Sequence, residues 1–290
     1  MRTSLLLVLC LPLAACSIDV DHDEKSGDVK KVHVSIGSVG GVHGNGTIKS
    51  ETRTVAAVKK VQATGSVDVD IRIGSTPSLT VEADENLLSM IHTEQTGDTL
   101  TIRTEGSFST NHPFKVTLVT PSVEALTHTG SGDVDLAGLA GGDLAVESTG
   151  SGDTRLGGKV GKLTLRLVGS GDLSGDGLMP SQAKVELMGS GDVDLGRIEV
   201  ERFEVAVNGS GRVSANGTAR TLSGKVMGSG DLELGQLQAE DAELELVGSG
   251  NIEAYAKQSV KARASGSGDL TVHGSPAKQE LSGKNLSVEE

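Results

Sequence analysis

A Gly-Ser-Gly triplet recurs eight times in the second half of the chain, starting at Gly130, Gly150, Gly169, Gly189, Gly209, Gly228, Gly248 and Gly266. The spacings are 20, 19, 20, 20, 19, 20 and 18 residues. A period this regular belongs to a chain built from one supersecondary unit stacked on copies of itself. The residue after each triplet is Asp133, Asp153, Asp172, Asp192, Arg212, Asp231, Asn251 and Asp269 in turn.

Apolar residues alternate on both sides of the triplet. Before it run Leu163, Leu165, Leu167; Ala183, Val185, Leu187; Phe203, Val205, Val207; and Ala242, Leu244, Leu246. After it come Val134 and Leu136, Val193 and Leu195, Leu232 and Leu234. A period of two means strands with one face buried, and no stretch carries a helical period. Each unit therefore reads as strand, Gly-Ser-Gly-Asp corner, short strand and variable turn. One unit cannot bury its own apolar face, so the units must stack. The expected fold is all-β: a single-stranded β-solenoid, like a right-handed parallel β-helix, with about 20 residues per coil.

In-register stacking makes a prediction within the sequence. Equivalent outward positions become neighbours about 4.8 Å apart, where opposite charges help and like charges hurt. The third residue before each triplet is Thr127, Glu147, Arg166, Glu186, Ala206, Lys225, Glu245 and Arg263. Wherever charges adjoin, the sign alternates. Two positions earlier, Lys184 falls beside Glu204, and Glu243 beside Lys261. Glu233 beside Glu253 is a counterexample.

The corner glycines admit the positive φ of a tight bend, and bare backbone lets corners approach closely. Asp133, Asp153, Asp172, Asp192, Asp231 and Asp269 are read as structural turn residues that accept backbone N–H groups in Asx-turns. Weak cation binding by this column is the alternative, since hard cations take several oxygens. The nine-residue repeat of calcium-binding β-rolls is absent. Arg212 and Asn251 read as relief of like-charge repulsion.

With a net charge of −13, the chain is a poor partner for nucleic acid. Three Phe and one Tyr among 290 residues leave the core aliphatic. The N-terminus, "MRTSLLLVLCLPLAAC", has one positive charge, a short apolar run and small residues before Cys16, the pattern of a targeting segment. Leu13-Ala14-Ala15-Cys16 resembles the lipobox of bacterial lipoproteins. That resemblance implies removal of residues 1–15 and lipidation of Cys16, which anchors the chain to a membrane through several acyl chains. Cys10 leaves with the signal, and Ser17 in place of Asp favours the outer membrane over the inner.

The segments "VKKVQATGSVDVDIRIG", "SLTVEADENLLSMIHTEQTGDTLTIRT" and "KVTLVTPSVEALTHTGSGDV", followed by the Gly-Ser-Gly-Asp series, resemble the head GIN domain family of autotransporter adhesins. The resemblance covers residues 54–275, with Gly65-Ser66-Val67 standing where the family has Gly-Ile-Asn. It implies a β-helical fold, a cell-envelope location and no established enzymatic activity. The expected organisation is a signal peptide at 1–15, a lipidated cysteine and flexible tether at 16–53, the N-terminal part of the β domain at 54–129, the repeat solenoid at 130–275, and a C-terminal cap or tail at 276–290.

No residue is selected for catalysis, and no cofactor or metal is implied. "DVDHDEKSG" at residues 19–27 lacks the glycine and the distal acid of a calcium loop, with Glu24 and Lys30 in their places. His22, His33, His43, His92, His112, His128 and His273 show no metal-ligand spacing. His128 is at an inward position and reads as the edge of the first coil. The triplet serines are all alike, so none stands out as a nucleophile. The expectation is a membrane-anchored envelope lipoprotein with a non-enzymatic, adhesin-like solenoid; the alternatives are a carbohydrate-active β-helix enzyme and a self-assembling envelope scaffold.

Overall fold

The computed structural model describes the backbone of residues 16–22 and 29–36, and residues 41–112, 114–175 and 177–289 in full. The described residues form two units. In the smaller, Cys16–His22 pairs antiparallel with Val29–Ile36, and Val42–His43 runs parallel to Phe108–Ser109. The larger, residues 44–105 with 110–112, 114–175 and 177–289, is a β-solenoid of about 8 turns with about 20 residues per turn.

In the solenoid each coil pairs in parallel with the next. Val193–Gly209, Arg212–Gly228 and Asp231–Gly248 are joined along most of their length, each corner glycine facing its equivalent one coil on. The burial alternation slips phase twice per coil. In the coil after Gly191 the inward residues are Val193 and Leu195, then Ile198 and Val200, then Phe203, Val205 and Val207. Each slip is a bend, because a step of three along a strand returns the next side chain to the same interior. With the glycine corner, the two bends divide the coil into three short faces. The variable turn expected after the second strand is itself largely strand in these later coils.

The core is a set of axial columns of Val, Leu, Ile and Ala, with Phe114 and Phe203 the largest fully buried side chains. Burying an aliphatic side chain of this size stabilises by roughly 1.5–3 kcal/mol. The stacked columns thus replace the aromatic centre of an ordinary domain.

At its N-terminal end the solenoid changes style. On the face before the corner, Lys60–Gly65 pairs with Ala125–Gly130 on one side and Thr99–Thr104 on the other, with Ile91–Thr96 antiparallel beyond. On the face after it, Val67–Ile73 is followed by Phe114–Thr120, Ser78–Asp84 and Ile48–Arg53, the last two antiparallel. Leu79, Val81, Leu87 and Ile91 close the core there.

The 16–53 segment is therefore not uniformly a flexible tether, since it contains strands at Cys16–His22, Val29–Ile36 and Ile48–Arg53. Ile48–Arg53 escaped detection because it is an edge strand whose side chains are exposed apart from half-buried Arg53. Without a buried face there is no apolar alternation to read. Arg53 donates to the carbonyl oxygens of Ile91 (2.6 Å) and Leu88 (3.2 Å), tying the end together. The signal-peptide assignment, residues 1–15, lies outside the described residues. At the other end, Lys278–Gly283 and Leu286–Glu289 pair in parallel with the preceding coil and extend the solenoid.

His128 is inward, as expected, but not at the edge of the solenoid. Its strand is held between Lys60–Gly65 and Leu144–Gly150. It is 1% exposed, with Nδ1 3.3 Å from the Ser148 hydroxyl and no partner at Nε2.

Candidate interaction surface

At the corner, the Ser190 N–H donates to the Gly169 carbonyl at 2.8 Å, and Ser151, Ser170, Ser210, Ser249 and Ser267 repeat this bond. The first glycine of each triplet has φ between +127° and +143°. A Cβ added there would lie 1.9–2.5 Å from the carbonyl oxygen of the glycine one coil below. The second glycine needs no unusual φ, but its Cβ would also meet backbone one coil below, at 1.8–2.4 Å. Both glycines are required by close approach, the first also by conformation.

The corner acids act between coils, which corrects the local Asx-turn reading. Oδ1 of Asp133 accepts the backbone N–H of Asp153 (3.0 Å), Asp153 that of Asp172 (3.0 Å), Asp172 that of Asp192 (2.8 Å), and Asp192 that of Arg212 (2.9 Å). Arg212 has no acceptor to offer, and the N–H of Asp231 turns instead to the Gly211 carbonyl at 3.1 Å. The ladder then resumes: Asp231 accepts from Asn251 (2.9 Å), and Asn251 from Asp269 (3.2 Å). It starts one coil earlier than the triplets suggest, with the Asp133 N–H donating to Asp68 at 2.9 Å. Gly65-Ser66-Val67-Asp68 is a ninth corner, paired Gly65 to Gly130. The signal was the Asp at the same offset. Val67 is permitted because it pairs with Phe114 and is not stacked on another glycine corner.

The outward charge ladder on the face before the corner is in register as expected. Glu147 faces Arg166, Arg166 faces Glu186, Lys225 faces Glu245, and Glu245 faces Arg263. Arg166 lies 3.7 Å from Glu147 and 3.1 Å from Glu186, and Lys225 lies 2.9 Å from Glu245. Lys261 pairs with Glu243 at 2.7 Å. Lys184 faces Glu204 in register, yet its ion pair is made along its own strand to Glu186 at 2.8 Å. That hydrogen bond, aided by Arg166, holds the Glu186 carboxyl below the usual range. The Glu233 and Glu253 clash is relieved by other partners: Arg212 at 2.8 Å for the first and His273 at 2.9 Å for the second.

Over the later coils the surface dips. Thr221 and Ser223 are short outward side chains between Arg202 and Glu204 on one coil and Asp241 and Glu243 on the next. The result is a groove of about 540 Å³ that continues past Ser259 and Lys261. Its floor is hydroxyl-bearing and its walls carry both signs of charge. The Lys261 hydrogen bond holds Glu243 below the ordinary carboxyl range, so this wall is ionised at neutral pH.

Among the described residues, no group of three or more His, Cys, Asp and Glu is arranged to hold a metal ion. The one deeply buried carboxylate among the described residues, Asp84, accepts the Gly46 N–H at 2.7 Å and the Thr110 hydroxyl, a structural pin near the N-terminal end. No helix among the described residues is long and apolar enough to cross a membrane.

Residues 57–195 and 165–276 match the family described as "Putative auto-transporter adhesin, head GIN domain". The chain belongs to the head GIN domain family. The two matched segments overlap within the repeat region, as an in-register solenoid allows. Among solved structures with this fold, a "putative lipid binding protein" from Parabacteroides distasonis is 24% identical (TM-score 0.64), with 86% of this chain and 98% of that chain covered. A "putative adhesin" from the same organism is 20% identical (TM-score 0.60; 87% and 100% covered), and one from Parabacteroides merdae is 21% identical (TM-score 0.60; 86% and 98% covered). No curated protein matches this chain significantly. Head GIN membership suggests a cell-envelope or surface protein.

Proposed function

We propose that this head GIN domain protein is a non-enzymatic, adhesin-like binding module of the bacterial cell envelope, anchored in the outer membrane by lipid on Cys16. The observation that carries the reading is the groove over Thr221 and Ser223. It is a polar depression on a rigid stacked face, lined by hydroxyls and by fixed carboxylates and cations. Such a surface suits a polar, hydrogen-bonding envelope partner. The family's description as adhesins supports the same reading, and the lipobox-like Leu13-Ala14-Ala15-Cys16 supports the anchor.

The test is adherence of intact cells. A strain lacking the protein is expected to adhere less to a glycan- or protein-coated surface. Wild type should restore adherence, and a chain whose groove is filled by Thr221→Trp and Ser223→Trp should not. Unchanged adherence in the deletion strain would overturn the adhesive reading.

A further inference from the structure

One coil departs from the ladder on the face between the two bends. Gly158, Lys159 and Val160 pair with Leu178, Met179 and Pro180 on one side. On the other side, pairing with the next coil stops after Ser174 with Asp194 and resumes only at Gln182 with Arg202. Pro180 contributes to this opening because it has no N–H to donate. The coils are parted there, and a cavity of about 640 Å³ opens between them.

Its lining is unlike that of the polar groove. Val160 and Leu178 are buried, and Pro180 with them, while Met179 is 59% exposed, the highest value for any large apolar side chain among the described residues. Lys159 and Arg197 reach the rim. The Lys159 side chain has no hydrogen-bond or ion-pair partner among the described residues, whereas Arg197 lies 3.4 Å from Glu199. Among the described residues that line it, two cations against one carboxylate leave the rim at +1, on a chain whose total is −13. An apolar cleft of several hundred Å³ with a few convergent polar groups is the usual form of a small-ligand site. Methionine suits it to a flexible chain.

We propose that this cleft binds a single-chain anionic amphiphile, a fatty-acid carboxylate. The acyl chain lies along Met179 and the aliphatic stems of Lys159 and Arg197, over a floor closed by Val160, Leu178 and Pro180, and the carboxylate is held by the Lys159 ammonium, with Arg197 as second donor. The unpaired Lys159 argues for an anionic head and against a cationic one. This inference is independent of the adhesive reading, which concerns a different face.

The test is calorimetric titration of laurate, below its micellar concentration, into the chain carrying Cys16→Ser, so that no attached lipid competes. Saturable 1:1 binding is expected, weakened at least tenfold by Met179→Asp and at least tenfold by Lys159→Glu with Arg197→Glu. These side chains are exposed, so the melting temperatures of the variants should match the parent. Dodecyltrimethylammonium should not bind the parent and should bind the double charge reversal better. Absence of laurate binding, or equal binding by the parent and both variants, overturns the proposal. Acetate binding as tightly as laurate would reduce the site to an anion site, and dodecanol binding equally well would remove the roles of Lys159 and Arg197. Either result also overturns it.

Discussion

The backbone N–H of Asp153 donates to Oδ1 of Asp133, one coil below, at 3.0 Å. A corner carboxylate thus satisfies a main-chain donor 20 residues away in sequence, and the solenoid is laced along its axis by side chains as well as by strands.

Asp172→Ala is expected to destabilise, because the Asp192 N–H loses its acceptor. A net hydrogen bond is worth about 1 kcal/mol, rising where the donor is left unpaired. Asp172→Asn should be nearly neutral, since Asn251 already plays this part toward Asp269. Chemical denaturation of the two variants decides it. Equal loss in both would mean that charge, not the acceptor, matters at the corner.

Gly189→Ala should be far more damaging. The residue has φ +139°, and an added Cβ would sit 2.1 Å from the Gly169 carbonyl oxygen. A cost of about 3 kcal/mol or more is expected, at the upper end of single-substitution effects. Gly97→Ala, at φ +62° with nothing within 4 Å, should cost only about 1 kcal/mol. Comparable melting temperatures for the two would contradict the close stacking of corners.

Arg166→Glu replaces contacts to Glu147 and Glu186 with two repulsions. All three side chains are about a third exposed or more, so the expected loss is about 1 kcal/mol, smaller at high salt. Adding Glu147→Lys should recover about half. Glu186→Lys should not help, because it would set a lysine beside Lys184, which now pairs with Glu186. Full recovery on adding Glu186→Lys would show that Lys184 is not committed there.

His128 makes stability depend on pH. Burial pushes its imidazole below the ordinary value of 6.5. The unfolded chain therefore binds a proton first as pH falls. The stability associated with neutral His128 is complete above about pH 6.5 and declines below it, until the folded form also protonates. Melting temperature measured from pH 7.5 to 5 should fall less steeply in His128→Leu, a residue the same column accepts at Leu167 and Leu187. Identical slopes would remove His128 as the cause.

Lipidation is checked by labelling. Radioactive palmitate should enter the wild-type chain and not Cys16→Ser, and membrane association should be lost with the label. Equal labelling of both would refute the assignment of Cys16.

The 20-residue period and the alternation around Gly-Ser-Gly determined by themselves that the chain is a stacked β-solenoid, and in which register. Each repeat reports the same burial pattern, and the sign changes at Glu147, Arg166 and Glu186 require those residues to be axial neighbours. Ordering within the stack was open to sequence for the same reason: identical units leave one way to superpose their corners. Tertiary structure alone decided what each polar group does once stacked. Whether Asp133 bonds its own turn or the N–H of Asp153, and whether Lys184 chooses Glu204 or Glu186, depends on distances of a few tenths of an ångström that no spacing records. Ile48–Arg53 was hidden because an exposed edge strand buries nothing and so imposes no pattern. The cleft at Met179 was hidden because Pro180 in the sequence marks one missing N–H, and whether the facing coil then parts from it is decided only by how the two coils pack.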